Sequence, residues 1–162
     1  MTKDRKDPIE PINKAQNETQ NETLGDLLCF SVYSTSHAFN HLYRRLLSDL
    51  GLTYPQYLVM TLLWRRDGLK VKAIGQELGL ESNTLTPLLK RLEALGFVVR
   101  QRDTEDERVV LVKLTSQGNS LSEKARDIPN CVADAVGLDQ ADFTKLTQLL
   151  YSVRTRLSKD RT

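Results

Sequence analysis

Two cysteines, two histidines and one tryptophan are the whole supply of those residues in this 162-residue chain. Cys29 and Cys131 lie far apart in sequence. That spacing is neither the disulfide framework of a small secreted scaffold nor a zinc ligand set. In a reducing cytosol both rest as thiols until something oxidises them. His37 and His41 share a helix face, but a metal centre needs more ligands than this pair offers, so neither metal nor cofactor is expected. No run of about 18 apolar residues is present, and residues 1–23 lack the apolar core of a secretory signal. A cytoplasmic protein without a membrane partner is expected.

Charge of one sign is also scarce overall, with a net value of +2. Its distribution is less even. Between Arg65 and Arg102 stand eight basic residues (Arg65, Arg66, Lys70, Lys72, Lys90, Arg91, Arg100 and Arg102) against four acidic ones. A middle more basic than the whole is what a phosphate-facing surface requires.

The ordering of patterns sets the architecture. Residues 1–23 are polar, contain Pro8 and Pro11 and read as a disordered tail. Apolar residues at helical spacing predict one long helix from Leu24 to Leu50, ended by Gly51. Pro55 opens a helix over 56–66, and further helices are expected over 71–78 and 83–95. Two β-rich runs, 97–102 and 108–114, flank the charged stretch 103–107 and read as a hairpin with an exposed tip. Thr115 caps the next helix, which Pro129 bends or ends, and Asp139 caps the last.

The fold class expected is mainly α with a small β-wing. Segment 24–158 forms one winged-helix domain, with a DNA-binding unit over 55–114. The apolar faces of 24–50 and 115–158 must be covered by each other or by a second chain, and a symmetric homodimer is the natural outcome.

The segment 71–92 has helix-turn-helix spacing. Ile74 and Leu78 face inward, Gly75 allows close approach, Gly79 turns the chain and Leu80 plugs the turn. Leu85 and Leu88 anchor the second helix from below. This leaves Asn83, Thr84, Thr86, Pro87, Lys90 and Arg91 outward, with Ser82 as N-cap. Such a helix presents its N-terminal residues to base edges in the major groove of double-stranded DNA, where Arg91 can donate to guanine or phosphate. A β-wing beside it reaches the adjacent minor groove, and Arg108, oriented by Asp106, is the candidate to enter.

These features carry a resemblance. The helix-turn-helix, the segment RDTEDERVV (Arg102 to Val110) and the following LT with Gly118 resemble the MarR family of dimeric winged-helix regulators. LCFSVYSTSHAFNHLYRRLL (Leu28 to Leu47), LGLTYPQYLVMTLLW (Leu50 to Trp64) and LTPLLKRLEALGFVVRQRD (Leu85 to Asp103) are similar to its organic-hydroperoxide-sensing, OhrR-like branch. The resemblance implies a repressor of a peroxide-detoxification gene, released from its operator when an organic hydroperoxide oxidises the N-terminal cysteine. That cysteine falls on Cys29, its hydrogen-bonding tyrosines on Tyr33 and Tyr43, and a third pocket tyrosine on Tyr54. Cys131 falls in the helical region that holds the resolving cysteine of two-cysteine members.

Tyr33 follows Cys29 by one helical turn, so its hydroxyl can approach the sulfur. Tyr43 follows by fourteen residues, roughly 21 Å along a straight helix. It reaches Cys29 only if the helix bends sharply or a partner chain supplies it. Two other readings stay open: a regulator binding an aromatic ligand non-covalently, and a thiol peroxidase in which the helix-turn-helix has no purpose.

Overall fold

The computed structural model describes residues 24–159; the tail expected over 1–23 lies outside them. Seven α-helices and three strands are described, and by their contacts the residues fall into two units meeting at Ala38 and Phe39. Among the described residues no helix is long and apolar enough to cross a membrane.

The first helix, α1, runs Leu28–Leu46 rather than 24–50. Short 3-10 turns take up the ends, Leu24–Asp26 and Ser48–Leu50. The Ser48 hydroxyl donates to the Arg45 carbonyl at 2.8 Å, competing with the helical ladder, and Gly51 turns the chain with φ 65°. In the first unit the apolar side chains Leu28, Phe30, Val32 and Tyr33 are all exposed.

The second unit holds the core. Helix α2 (Tyr54–Arg65) begins with Pro55 in its first turn, and Gln56 Oε1 accepts from the Thr53 backbone N–H at 2.8 Å. Its Val59, Met60 and Leu63 are fully buried beside Ile74 of α3 (Val71–Leu78) and Leu85 of α4 (Ser82–Ala94). Two corrections fall on α4. Its buried rungs are Leu85, Leu89 and Leu92, spaced i, i+4, i+7, so Leu89 and not the half-buried Leu88 is the second anchor. Ser82 is the first helical residue rather than the N-cap: Glu81 holds the extended position, and its carbonyl accepts from Leu85 N–H at 2.9 Å.

The hairpin is present as β2 (Val98–Arg102) and β3 (Val110–Leu114), antiparallel with Arg100 opposite Val112. A strand not expected from sequence, β1 (Leu69–Lys70), pairs with the other edge of β3, giving the order β1-β3-β2. Two residues are too few for period-two patterning to reveal. Past the hairpin, α5 (Ser116–Ala125) begins as expected at Thr115, whose hydroxyl accepts from Gly118 N–H at 2.9 Å. The chain breaks at Arg126–Asp127, before Pro129, which sits in the first turn of α6 (Ile128–Val136) where its missing N–H costs nothing. Asp139 caps α7 (Gln140–Lys159) through Asp142 N–H at 2.8 Å.

One glycine is fixed by space. A Cβ on Gly118 would lie 1.9 Å from the Phe97 carbonyl oxygen, a backbone atom. Gly118→Ala is expected to destabilise the protein by about 3 kcal/mol or more. Gly75→Ala, whose Cβ meets the Leu80 oxygen at 3.0 Å, is expected to cost about 1 kcal/mol. Urea midpoints of the two variants test this ordering.

Candidate nucleic-acid interface and redox residues

Helix α4 is held from below by Leu85, Leu89 and Leu92, which leaves its opposite face outward. Ser82, Asn83, Thr84, Thr86, Pro87, Lys90 and Arg91 are all exposed there. Gly79 caps α3 with φ 65°, and Leu80 N–H donates to the Gly75 carbonyl at 2.9 Å, closing the turn between the two helices. This is the helix-turn-helix with its second helix presented.

The wing tip is built from short aspartate turns. Asp103 accepts from Glu105 N–H at 3.0 Å, and Asp106 Oδ1 accepts from Arg108 N–H at 3.0 Å and from Arg108 Nε at 3.2 Å. The Arg108 side chain is nevertheless 93% exposed, so Asp106 aims the guanidinium without burying it. Arg102 is exposed at the end of β2. Arg100 has a different situation. Its Nε and Nη2 bond to Glu93 Oε2 at 2.9 and 2.6 Å, and its backbone N–H bonds to Glu93 Oε1 at 3.1 Å. Those hydrogen bonds hold the Glu93 carboxyl below the usual carboxylate range. Arg100 thus ties β2 to α4 and fixes the wing against the recognition helix.

Between helix-turn-helix and wing lies an open groove of about 940 Å³, lined by Lys70, Lys72, Gln76, Ser82, Thr86 and Arg108 among others. Lys70, Lys72 and Glu93 were not picked out as site residues from the sequence. The basic excess was a signal for the lysines, but only β1 shows where Lys70 lies.

The residues expected to form a redox site divide between the units. In the first, Cys29 is exposed as the second residue of α1. One and two turns on, Tyr33 and His37 touch, with ring centroids 4.4 Å apart. In the second, Tyr43 stacks on Tyr54 at 4.0 Å, Tyr57 lies 6.0 Å from Tyr43, and Trp64 meets Tyr57 edge-on. Burial first, and then the neighbouring phenols Tyr54 and Tyr57, push Tyr43 up to about 12. Burial likewise raises Tyr54. Cys131 is exposed on α6, next to the buried Val132, and is not a packed core residue.

Set beside known proteins, the residues 41–125 match the family described as transcriptional regulator SarA/Rot, just over half of the chain. The chain is a winged-helix transcriptional regulator of this MarR-like family. It is 48% identical to the HTH-type transcriptional regulator TtmR of Methylorubrum extorquens over 84% of this chain and 70% of that one. It is 42% identical to the organic hydroperoxide resistance transcriptional regulator of Bacillus subtilis, over 85% and 94% of the two chains. Among solved structures, reduced AbfR of Staphylococcus epidermidis bound to DNA matches with a TM-score of 0.73 and 34% identity, covering 86% of this chain and 95% of that one. AbfR has also been solved with a disulfide formed (TM-score 0.61, 40% identity, 80% and 91% covered).

In this regulator the Tyr43 phenol is favoured protonated on folding. Its folded value lies above the ordinary phenol value of 10.0, so the stability it contributes is full below pH 10 and is lost as pH rises towards about 12. Tyr43→Phe is expected to flatten the loss of stability over that alkaline window, measured by urea unfolding at stepped pH.

Proposed function

We propose that the protein is a homodimeric, operator-binding repressor that senses organic hydroperoxides through Cys29 and releases the DNA of a peroxide-detoxification gene. The observation that carries this reading is the 42% identity to the Bacillus subtilis organic hydroperoxide resistance regulator over 85% of the chain. The exposure of Cys29 at the start of α1 supports it, since a hydroperoxide can reach the sulfur there.

The chemistry balances with the hydroperoxide as oxidant. The Cys29 thiolate attacks one peroxide oxygen, the S–O bond forms and the O–O bond breaks. The alkoxide leaves and takes up a proton to become an alcohol, and the sulfur is oxidised to a sulfenic acid. Cys131 of the other chain then condenses with that sulfenic acid, forming a disulfide and releasing water. Tyr33 stands one turn from Cys29. Tyr43 and Tyr54 come from the partner chain and offer phenol O–H donors to the sulfur, as any tyrosine does at neutral pH. The helix-turn-helix and the wing, for which a thiol peroxidase has no use, favour a switch over a peroxidase.

Dimerisation covers the apolar stripe of α7, where Leu146, Leu149, Leu150, Val153 and Leu157 are all exposed in the single chain. Each protomer then lays α4 in a major groove and Arg108 in the adjacent minor groove.

The test uses operator DNA selected by the reduced protein from a random-sequence pool, titrated with cumene hydroperoxide. Wild type is expected to release the DNA and Cys29→Ser to hold it. Cys131→Ser is expected to lose the crosslinked dimer band on a non-reducing gel. Release of DNA from Cys29→Ser by peroxide would sink the sensor assignment. In the same binding assay Arg108→Ala is expected to weaken the reduced complex by about 1–3 kcal/mol and to leave Cys29 oxidation unchanged. Equal affinity would remove the wing from the interface.

A further inference from the structure

We propose that the groove between α3 and the wing seats one sugar–phosphate strand of the duplex, and that Lys70 and Lys72 are its phosphate-binding residues. The inference rests on the DNA-binding reading above and extends it to two residues outside the recognition helix and the wing tip.

The geometric argument comes first. A protein that places one element in a major groove and a neighbouring element in the adjacent minor groove straddles the backbone strand separating them. Here those elements are α4 and the β2–β3 tip. The groove lined by Ser82 and Thr86 of α4 and by Arg108 of the wing runs between them. Lys70 and Lys72 line the same groove from β1 and the first turn of α3. The first helix of a helix-turn-helix is the one that crosses the backbone, which puts both lysines where phosphates pass.

Charge accounting follows the same line. Of the four cations lining the groove, Arg100 is neutralised by Glu93 and Arg108 shares its Nε with Asp106. Lys70 and Lys72 are exposed, and neither forms an ion pair with a described residue. Glu81 is the one carboxylate in the lining. Two uncommitted ammonium groups therefore face an open channel whose rim also offers the hydroxyls of Ser82 and Thr86. Ammonium groups bind phosphate as point charges, without base preference.

The register of the sheet makes this placement firm. Lys70 pairs opposite Leu111 of β3, and β3 is also the strand that carries the wing. The lysine wall and the arginine wall are thus joined through one hydrogen-bonded strand.

The experiment measures the salt dependence of binding of reduced, full-length protein to a mixed-sequence duplex of about 30 base pairs, long enough for two half-sites. Wild type, Lys70→Gln, Lys72→Gln, the double variant and Lys124→Gln on α5 are compared. Because the dimer carries two copies of each lysine, each groove substitution is expected to lower the slope of log affinity against log salt by roughly 1.8, two contacts at roughly 0.9 each, and the double by roughly twice that. The same fractional loss is expected on selected operator DNA, because phosphate contacts carry no sequence information. Lys124→Gln is expected to leave the slope unchanged. A double variant with the wild-type slope overturns this inference alone, as does an equal drop in Lys124→Gln, which would reduce the effect to the general field of the protein. A wild-type chain that shows no salt-dependent DNA binding overturns both this inference and the function it rests on. Both lysine side chains are exposed, so unchanged urea midpoints are expected and separate lost contacts from lost folding.

Discussion

The DNA-reading unit depends on a knot of backbone contacts where the hairpin leaves and returns. Thr115 Oγ1 donates to the Gly96 carbonyl at 2.6 Å and accepts from Gly118 N–H at 2.9 Å, while Thr115 N–H donates to the Phe97 carbonyl at 3.1 Å. Gly118 lies so close to the Phe97 carbonyl that no side chain fits between them. From the other side, Trp64 Nε1 of α2 donates to the Gly118 carbonyl at 2.9 Å. The start of β2, the end of β3, α5 and α2 therefore meet at one residue without a Cβ. Everything the wing does is referred to that point, because the strands diverge from it towards the tip.

A second tie acts further out. Glu93 and Arg100 join α4 to β2 through three hydrogen bonds, one of them to backbone. A partly exposed pair of this kind adds modestly to stability. Its larger effect is geometric, since two guanidinium N–H groups converge on Oε2 while the Arg100 backbone N–H holds Oε1, which fixes direction as well as distance. Arg100, one of the basic residues that marked this region in the sequence, thereby orients the wing, and the exposed cation at the tip is Arg108.

The sequence was most legible where one residue decides a local outcome. Gly79, Gly51, Thr115 and Asp139 all stand where they were expected, because left-handed turns and side-chain caps are local chemistry. The outline of the helix-turn-helix follows from its spacing, but the choice of Leu89 over Leu88 does not: leucines at both i+3 and i+4 satisfy the same helical period, and only packing chooses between them. Strand β1 could not be seen, since two residues carry no periodicity and pair with a strand some forty residues later. The Arg100–Glu93 pair was hidden for a related reason, being a contact between a helix and a strand. The ends of α1 were set by a serine hydroxyl and by 3-10 geometry, which shortened the helix expected from its apolar pattern alone.

The three-stranded sheet has a consequence for control. Since β1 and β2 both hydrogen-bond to β3, and α4 is bound to β2 through Glu93, the reading surfaces of one protomer resist deformation separately. In the proposed dimer a chemical event at the N-terminal helix then has little to gain by loosening single contacts. Under the proposed function it would act by changing the phase between two stiff readers. Two half-sites on DNA lie a fixed helical repeat of about 10.5 base pairs or its multiples apart, so a rotation of one reader against the other would carry it out of register with its groove.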